Sequence, residues 1–268
     1  MKILQLNINH YEAAHDLLMQ TVRDLKLDLV LISEPYKHLN DQPWETNRTS
    51  KTVISSCGKL PFQSIVNNKS AGFIAASVDG IYIYSCYAPP SLSIVEFTDF
   101  LDKLTEDAKQ HHPVAIAGDF NSWAVDWGSK QTNARRKALL EVFTTIDVVL
   151  LNYGDTPTYI KGNASSIGDL TFVSICLTRG NSDWKVMGIY TASDHNAIFW
   201  EISCDQIRQR PNSTTVGWKV KTFDPSTLIV AIDSKPIIAG PAEEMTKDLM
   251  KRVTHACDAS TPRKHNMN

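Results

Sequence analysis

The sequence predicts an α+β fold in which two mixed β-sheets pack face to face and helices cover the outside. Short apolar runs of strand length recur along the chain, and amphipathic helical segments separate them. One pair of runs is joined by a two-residue turn, which indicates antiparallel neighbours. A layered sandwich is therefore favoured over a purely parallel doubly wound sheet.

The first third of the chain gives a strand, a helix and a second strand. Residues 3–9 form an apolar run that predicts the first strand, and residues 28–33 predict the next one, with Glu34 directly at its end. The segment between them repeats its apolar residues at helical spacing. This stripe consists of Ala14, Leu17, Leu18, Val22 and Leu25.

A hairpin and a helix are predicted next. Two apolar runs between Phe73 and Tyr87 flank Asp79-Gly80, a dipeptide that suits a tight turn because glycine tolerates positive φ. Ser93 and Glu96 have the spacing of a capping box, which predicts the start of a helix. That helix leads into a short buried strand at residues 114–117.

The following segment predicts one more helix and then mostly strands. The helix spans about residues 133–143. The predicted strands are Val148–Leu151, Leu170–Val173 and Ala197–Ile202.

The chain is expected to divide at residue 203. Residues 1–203 form the main domain, and residues 204–268 form a linker followed by a partial helical segment. Residues 206–215 are polar and contain Pro211, as linkers often do, while residues 242–256 have a helical pattern.

Charge and composition limit the function classes. The net charge is −2, with 17 Lys and Arg against 22 Asp and Glu in residues 1–203. A strongly basic nucleic-acid module is therefore excluded, and any DNA contact must come from a local patch or from geometry.

An intracellular protein with reduced thiols is expected. The five scattered cysteines, Cys57, Cys86, Cys176, Cys204 and Cys257, include no C-x-x-C pair and argue against disulfides or a zinc site. No apolar run has transmembrane length, and no basic and apolar leader is recognisable. The four N-x-S/T sequons, at Asn47, Asn68, Asn163 and Asn212, are interpreted as chance matches.

Polar residues suited to phosphate chemistry recur at the ends of the predicted strands. Asp119 and Asn121 follow the strand at residues 114–117, and residues two apart on an extended chain point to the same side. Together the side chains at these strand ends supply a hard oxygen ligand for Mg²⁺, a general base, amide donors and a His beside a carboxylate. The set is Asn7, Asn9, Glu34, Tyr87, Asp119, Asn121, Asp169, Asp194 and His195.

Each of these residues also has a structural explanation when it is taken alone. Asp119 with Asn121, Asp169, and Asp194 with His195 could make ordinary turns. Tyr87 could be a core aromatic. Trp123 and Trp127 are interpreted as packing residues rather than base-stacking platforms for DNA, and the cluster at residues 135–137 as solvated cations at a helix start rather than a phosphate contact.

The order of the motifs resembles that of the endonuclease/exonuclease/phosphatase superfamily over residues 1–203. The resemblance implies a four-layered, DNase I-like α/β sandwich and Mg²⁺-dependent phosphoester hydrolysis, with Mn²⁺ as a substitute. The motifs are residues 6–9 (Leu-Asn-Ile-Asn), 33–35 (Ser-Glu-Pro), 86–89 (Cys-Tyr-Ala-Pro), 118–121 (Gly-Asp-Phe-Asn), 168–171 (Gly-Asp-Leu-Thr) and 193–195 (Ser-Asp-His).

Residues 119–129, with Asn133 and Arg135, are similar to the apurinic-type endonuclease domain of insect non-LTR retrotransposons. The resemblance implies an enzyme that nicks double-stranded DNA in the nucleus to prime reverse transcription. Residues 256–264 resemble the connector that precedes the reverse transcriptase in such polyproteins, although these 268 residues contain no reverse transcriptase.

The resemblance also implies a role for each residue. Glu34 holds the metal, with Asp194 near it. Asp119 orients or deprotonates water, and Asn121 and Asn7 fix the scissile phosphate. His195 contacts a non-bridging phosphate oxygen, and Asp169 holds the His195 ring. Tyr87 donates to the phosphate or to the leaving group.

One position departs from the superfamily pattern. Asn9 replaces the Asp of many abasic-site repair enzymes, which weakens a second metal position and argues against a repair role. Two alternatives stay open at this stage: a phosphatase or phosphodiesterase of the same superfamily, and a catalytically silent DNA-binding relic. The sequence shows no basic amphipathic stretch that would favour a lipid substrate.

Overall fold

A computed structural model describes residues 1–36, 44–67, 69–178, 183–202, 223–233 and 242–261. The chain forms two compact units, Met1–Arg208 and Gln209–Asn268. The predicted linker at residues 206–215, the boundary at residue 203 and residues 262–264 of the connector-like segment lie outside the described residues.

The first unit contains fourteen strands and three α-helices in its described part. The strands are β1 (Lys2–Asn7), β2 (Leu29–Ser33), β3 (Trp44–Thr46), β4 (Thr52–Ser56), β5 (Ser64–Asn67), β6 (Phe73–Val78), β7 (Ile81–Tyr87), β8 (Val114–Asp119), β9 (Val148–Leu150), β10 (Tyr159–Lys161), β11 (Ala164–Ser166), β12 (Asp169–Ser174), β13 (Trp184–Val186) and β14 (Ile198–Glu201). The helices are α1 (Glu12–Leu25), α2 (Ile94–Ala108) and α3 (Arg135–Phe143).

Two six-stranded mixed sheets form the body of this unit. The first has the order β13-β14-β1-β2-β4-β3 and the second the order β5-β6-β7-β8-β12-β9. In each sheet one central pair is parallel, β1 with β2 and β7 with β8. A separate hairpin pairs β10 with β11.

The packing produces four layers. Alternate residues of the central strands point to opposite faces, so Leu31 of the first sheet and Ile83 of the second meet in the core between the sheets. The outer face of the first sheet packs against α1, and the outer face of the second against α2 and α3. Full burial of each such aliphatic side chain stabilises the fold by about 1.5–3 kcal/mol. The predicted α+β sandwich is confirmed.

Local sequence signals account for the connections that were predicted. Asp79 and Gly80 both have positive φ, 51° and 77°, as a two-residue hairpin turn requires. Ser93 and Glu96 form both halves of the capping box at the start of α2. The four described cysteines form no disulfide.

The second unit has two helices in its described residues, α4 (Pro225–Asp233) and α5 (Ala242–Ser260). The sequence predicted the second helix four residues too short and missed the first. Among the described residues no helix has the length and apolar character needed to cross a membrane.

Candidate active site

The polar strand ends meet at one edge of the two sheets. Because β1 with β2 and β7 with β8 are parallel, their carboxyl ends lie side by side, which places Asn7 next to Ser33 and Tyr87 next to Asp119. The antiparallel β12 begins where β8 ends, so Asp169 lies opposite Asp119.

A cleft of about 750 Å³ opens at this edge. It brings together seven of the eight predicted site residues, and the eighth, Asp169, lies behind His195. The seven are Asn7, Glu34, Tyr87, Asp119, Asn121, Asp194 and His195.

Asn7 connects the two sheets at the base of the cleft. Its amide nitrogen donates to Oε2 of Glu34 at 3.1 Å and to Oδ2 of Asp119 at 3.0 Å. Its amide oxygen accepts from the backbone N–H of Asn9 at 2.8 Å, which fixes the orientation of the group. Asn7 therefore holds two carboxylates together, and both of its N–H bonds are engaged.

Asp119 is a buried carboxylate in a dense hydrogen-bond network. Asn121 donates to it twice, from its backbone N–H at 2.9 Å and from its side-chain amide at 3.1 Å. Burial and the charge of Asp169 nevertheless raise the pKa of Asp119 to about 7, against the opposing effects of His195 and these hydrogen bonds. This places its titration close to neutral pH.

His195 and Asp169 form a buried pair beside Asp119. Nδ1 of His195 lies 2.9 Å from Oδ2 of Asp169. Burial by itself lowers the pKa of His195, but the charge of Asp169 and its hydrogen bond outweigh burial and raise the pKa to about 9. His195 is therefore protonated at neutral pH and offers Nε2–H to the cleft.

Comparison with known proteins agrees with this geometry. A family model described as endonuclease-reverse transcriptase matches residues 81–199. The fold is similar to the endonuclease domain of TRAS1, a telomere-specific non-LTR retrotransposon, with a TM-score of 0.65 and 24% identity over 75% of this chain and 97% of that one.

The family model and the fold both support the resemblance to the endonuclease/exonuclease/phosphatase superfamily. Two other solved structures share the fold. A 3′-5′ exonuclease from Neisseria meningitidis has a TM-score of 0.57 and 16% identity, over 76% of this chain and 100% of that one. An AP endonuclease from Archaeoglobus fulgidus has a TM-score of 0.59 and 12% identity, over 76% and 99%. No curated protein gives a significant match.

Glu34 and Tyr87 both line the cleft, and Tyr87 is only 4% exposed. Burial, with a hydrogen bond to Glu34, raises the pKa of Tyr87, so its hydroxyl keeps its proton and acts as a donor. His10, which the sequence analysis missed, lies with Nε2 3.5 Å from Oε1 of Glu34. His10 lies in the loop after β1 and directly follows the motif at residues 6–9. That adjacency is the signal that could have identified it.

The donor set fits the divalent cation that the sequence resemblance implies. Glu34 and Asp119 share one amide donor, and their oxygens are the hard ligands that Mg²⁺ and Mn²⁺ prefer. Burial first, and then the charge of Asp169, raise the pKa of Asp119, and a cation bound beside it would favour the ionised carboxylate. Asp119, Asp169 and His195 also lie within 4.8 Å of one another, but protonated His195 suits charge stabilisation better than metal ligation.

Asp194 lies at the cleft with its carboxylate already engaged. Its Oδ2 accepts from Nζ of Lys161 at 2.9 Å and from the side-chain amide of Asn9 at 3.3 Å. The structure thus brings Asp194 to the predicted place and pairs it with a lysine that the sequence analysis did not single out.

Buried polar contacts hold the two sheets in register behind the site. The amide of Gln5 donates to the carbonyl of Gly118 at 3.1 Å, and its oxygen accepts from Thr171 at 3.0 Å. Ser33 donates to the carbonyl of Cys86 at 3.1 Å. These bonds fix Asp119 of the second sheet relative to Asn7 of the first.

The interpretation of residues 135–137 as solvated cations is wrong for the first of them. Arg135 is buried and donates to five backbone carbonyls, four of them in the loop after β7. Arg136 instead pairs with Asp126, and Lys137 with Glu141. Arg135 therefore stabilises the loop beside Tyr87.

The two tryptophans have different environments. Trp127 is buried and donates from Nε1 to the carbonyl of Ile167 at 3.1 Å, which agrees with a packing role. Trp123 is half-buried and lines the cleft beside Asn121.

Proposed function

We propose that this protein is a Mg²⁺-dependent endonuclease that nicks double-stranded DNA and leaves a 3′-hydroxyl from which a reverse transcriptase begins synthesis. The observation that carries the proposal is the convergence of Glu34, Asp119 and the Asp169–His195 pair in one open cleft. Within this proposal the protein acts in the nucleus.

Glu34 would hold the cation, with Asn7 fixing the orientation of its carboxylate. When bound, Mg²⁺ or Mn²⁺ supplies Lewis-acid stabilisation of the charge that develops on the phosphate. The remaining chemistry falls to side chains of this chain.

Asp119 is suited to accept a proton from the attacking water. A general base works best when its pKa lies near the working pH, and burial beside Asp169 gives Asp119 a pKa of about 7. Asn121 donates to Asp119 and lines the same cleft.

His195 and Tyr87 are the donors for the phosphate. Protonated His195 places a positive hydrogen-bond donor where a non-bridging oxygen gains charge in the transition state. Tyr87 keeps its proton and can donate to the phosphate or to the leaving oxygen. Preorganised donors of this kind typically contribute about 10²–10³-fold to the rate.

The DNA substrate and the priming role are supported by the endonuclease-reverse transcriptase family model and by the likeness to a retrotransposon endonuclease. The net charge of −2 provides no general attraction for DNA. Among the described residues, the cations Lys130, Lys161 and His195 line the cleft and would supply local attraction.

Supercoiled plasmid tests the proposal. With Mg²⁺ the protein should produce open circles, and EDTA should abolish them. Asp119→Asn and His195→Ala should each reduce nicking by at least about 10²-fold, whereas Asp99→Asn, at an exposed position of α2, should not. A DNA polymerase should extend the nicks directly, as a 3′-hydroxyl requires.

Three outcomes would contradict the proposal. Full nicking by Asp119→Asn and His195→Ala would place the active site elsewhere. Turnover of small phosphorylated compounds without DNA cleavage would favour a phosphatase. Binding of duplex DNA without cleavage in any divalent metal would favour a silent DNA-binding protein.

A further inference from the structure

The β10–β11 hairpin is attached to the segment that carries Asp194 and His195. The backbone N–H of Ile160 donates to the carbonyl of Asp194 at 2.8 Å, and that of Asn196 to the carbonyl of Thr158 at 2.8 Å. The rings of Tyr159 and His195 lie 5.0 Å apart. Strand β10 therefore pairs with this segment in a short antiparallel bridge.

This attachment fixes the position of Lys161. The residue follows Ile160 directly, so the bridge holds the start of its side chain beside Asp194, and Nζ lies 2.9 Å from Oδ2. The pair lies at the wall of the cleft that also holds Glu34.

Stability does not explain this ion pair. The Lys161 side chain is 62% exposed, and ion pairs at exposed positions contribute little to folding. The ion pair has a larger effect on cation binding. The ammonium group of Lys161 lies on Oδ2 of Asp194 and cancels the charge with which Asp194 would attract a second dication. Asn9 adds an N–H to the same oxygen at 3.3 Å.

We propose that Lys161 is a positioning residue that takes the place of a second divalent cation at Asp194, so that the cleft binds one divalent cation, at Glu34. This inference rests on the proposed metal-dependent function. It assigns Asp194 the role of anchoring the hairpin through Lys161, in place of the metal-ligand role expected from the sequence.

Titration of the full chain with Mn²⁺, followed by electron paramagnetic resonance, measures the number of bound ions without reference to catalysis. The wild type should bind one Mn²⁺ per chain. Lys161→Met should gain a second, with an affinity at least about tenfold higher than any second site of the wild type. Adding Asn9→Asp should strengthen that second site further.

Two control variants separate this effect from a general change of charge. Lys161→Arg keeps the positive charge on Asp194 and should keep one Mn²⁺. Lys130→Met removes another lysine that lines the same cleft and should also keep one Mn²⁺. In nicking assays, the dependence of the rate on Mg²⁺ should become steeper in Lys161→Met alone.

The possible results are distinguishable. Two Mn²⁺ ions on the wild type, or one on both Lys161→Met and the double variant, would overturn the role of Lys161. If Lys130→Met gained a second Mn²⁺ equally well, the effect would be one of net charge, and the role of Lys161 would also be overturned. If the wild type binds no Mn²⁺, the proposed metal-dependent function fails first, and this inference fails with it.

Discussion

Nδ1 of His195 lies 2.9 Å from Oδ2 of Asp169, and both residues are more than nine-tenths buried. Burial disfavours a charged imidazole, and the adjacent carboxylate makes the largest contribution to keeping it protonated at neutral pH. The charge of His195 therefore depends on Asp169.

Asp169→Asn should remove that charge while keeping the shape of the pair. The pKa of His195 should fall from about 9, because burial is then opposed only by more distant carboxylates. Wild-type nicking should persist up to about pH 9 and decline above it, whereas the variant should lose activity at lower pH. At pH 8 we expect a loss of about 10²-fold or more.

Nicking rates measured between pH 6 and pH 10, together with the imidazole NMR signals, check this prediction. Asp99→Asn is the matched control, since it makes the same change at an exposed position. A variant whose pH profile follows that of the wild type would show that Asp169 does not set the charge of His195.

Gly118→Ala should destabilise the fold directly at the site. Gly118 has φ of 150°, and a Cβ there would lie 1.9 Å from the backbone oxygen of Cys86, which must move with its strand. We expect the free energy of unfolding to fall by at least about 3 kcal/mol, measured by urea denaturation.

Gly154→Ala is the matched control for this substitution. Gly154 also has positive φ, 84°, but a Cβ there meets no atom within 4 Å. This substitution should lower the free energy of unfolding by about 1–2 kcal/mol, because alanine is disfavoured in the left-handed backbone conformation. Equal losses for the two variants would mean that backbone conformation, rather than the contact with Cys86, decides the need for Gly118.

The sequence predicted the elements whose cause is local. Asp79-Gly80 specifies its own turn, and Ser93 with Glu96 specifies the start of α2, because the interacting groups lie within three residues of each other. Strands β3, β4, β5, β10, β11 and β13 were missed. Four of these six have only three residues, too few to show a period of two.

The candidate site was predicted from the motif order, while its supporting contacts were not. Arg135 binds carbonyls more than 40 residues earlier in the chain, and Lys161 binds Asp194 33 residues later. No local pattern marks such pairs, because they depend on how the sheets and the hairpin come together. Arg135 was therefore interpreted as solvated, and Lys161 was not considered.

Arg135→Lys should destabilise the protein although it conserves charge. The guanidinium donates to five carbonyls, whereas an ammonium group has three donors and a different shape, so buried acceptors lose their partners. We expect a loss of about 3 kcal/mol in the free energy of unfolding, measured by urea denaturation.

Arg136→Lys provides the comparison, because the neighbouring arginine forms a surface pair with Asp126. Its effect should stay within about 1 kcal/mol. If Arg135→Lys were as mild as Arg136→Lys, the loop after β7 would not depend on the guanidinium.

His15 should make the stability of the first unit depend on pH, at a position outside the cleft. The residue is 6% exposed on α1, its ring packs against Trp44, and its Nδ1 has no hydrogen-bond partner among the described residues. Burial lowers the pKa of His15, although nearby Asp16 opposes the shift. The unfolded chain therefore binds the proton more readily than the folded protein.

The contribution of His15 to stability is accordingly complete above the unfolded pKa of about 6.5 and is lost as the pH falls below it. Urea denaturation at pH 7.5 and pH 5.5 should show a smaller difference for His15→Gln than for the wild type. His255→Gln, at an exposed position, should leave the difference unchanged. A His15→Gln protein that loses as much stability at pH 5.5 as the wild type would assign the acid sensitivity to other groups.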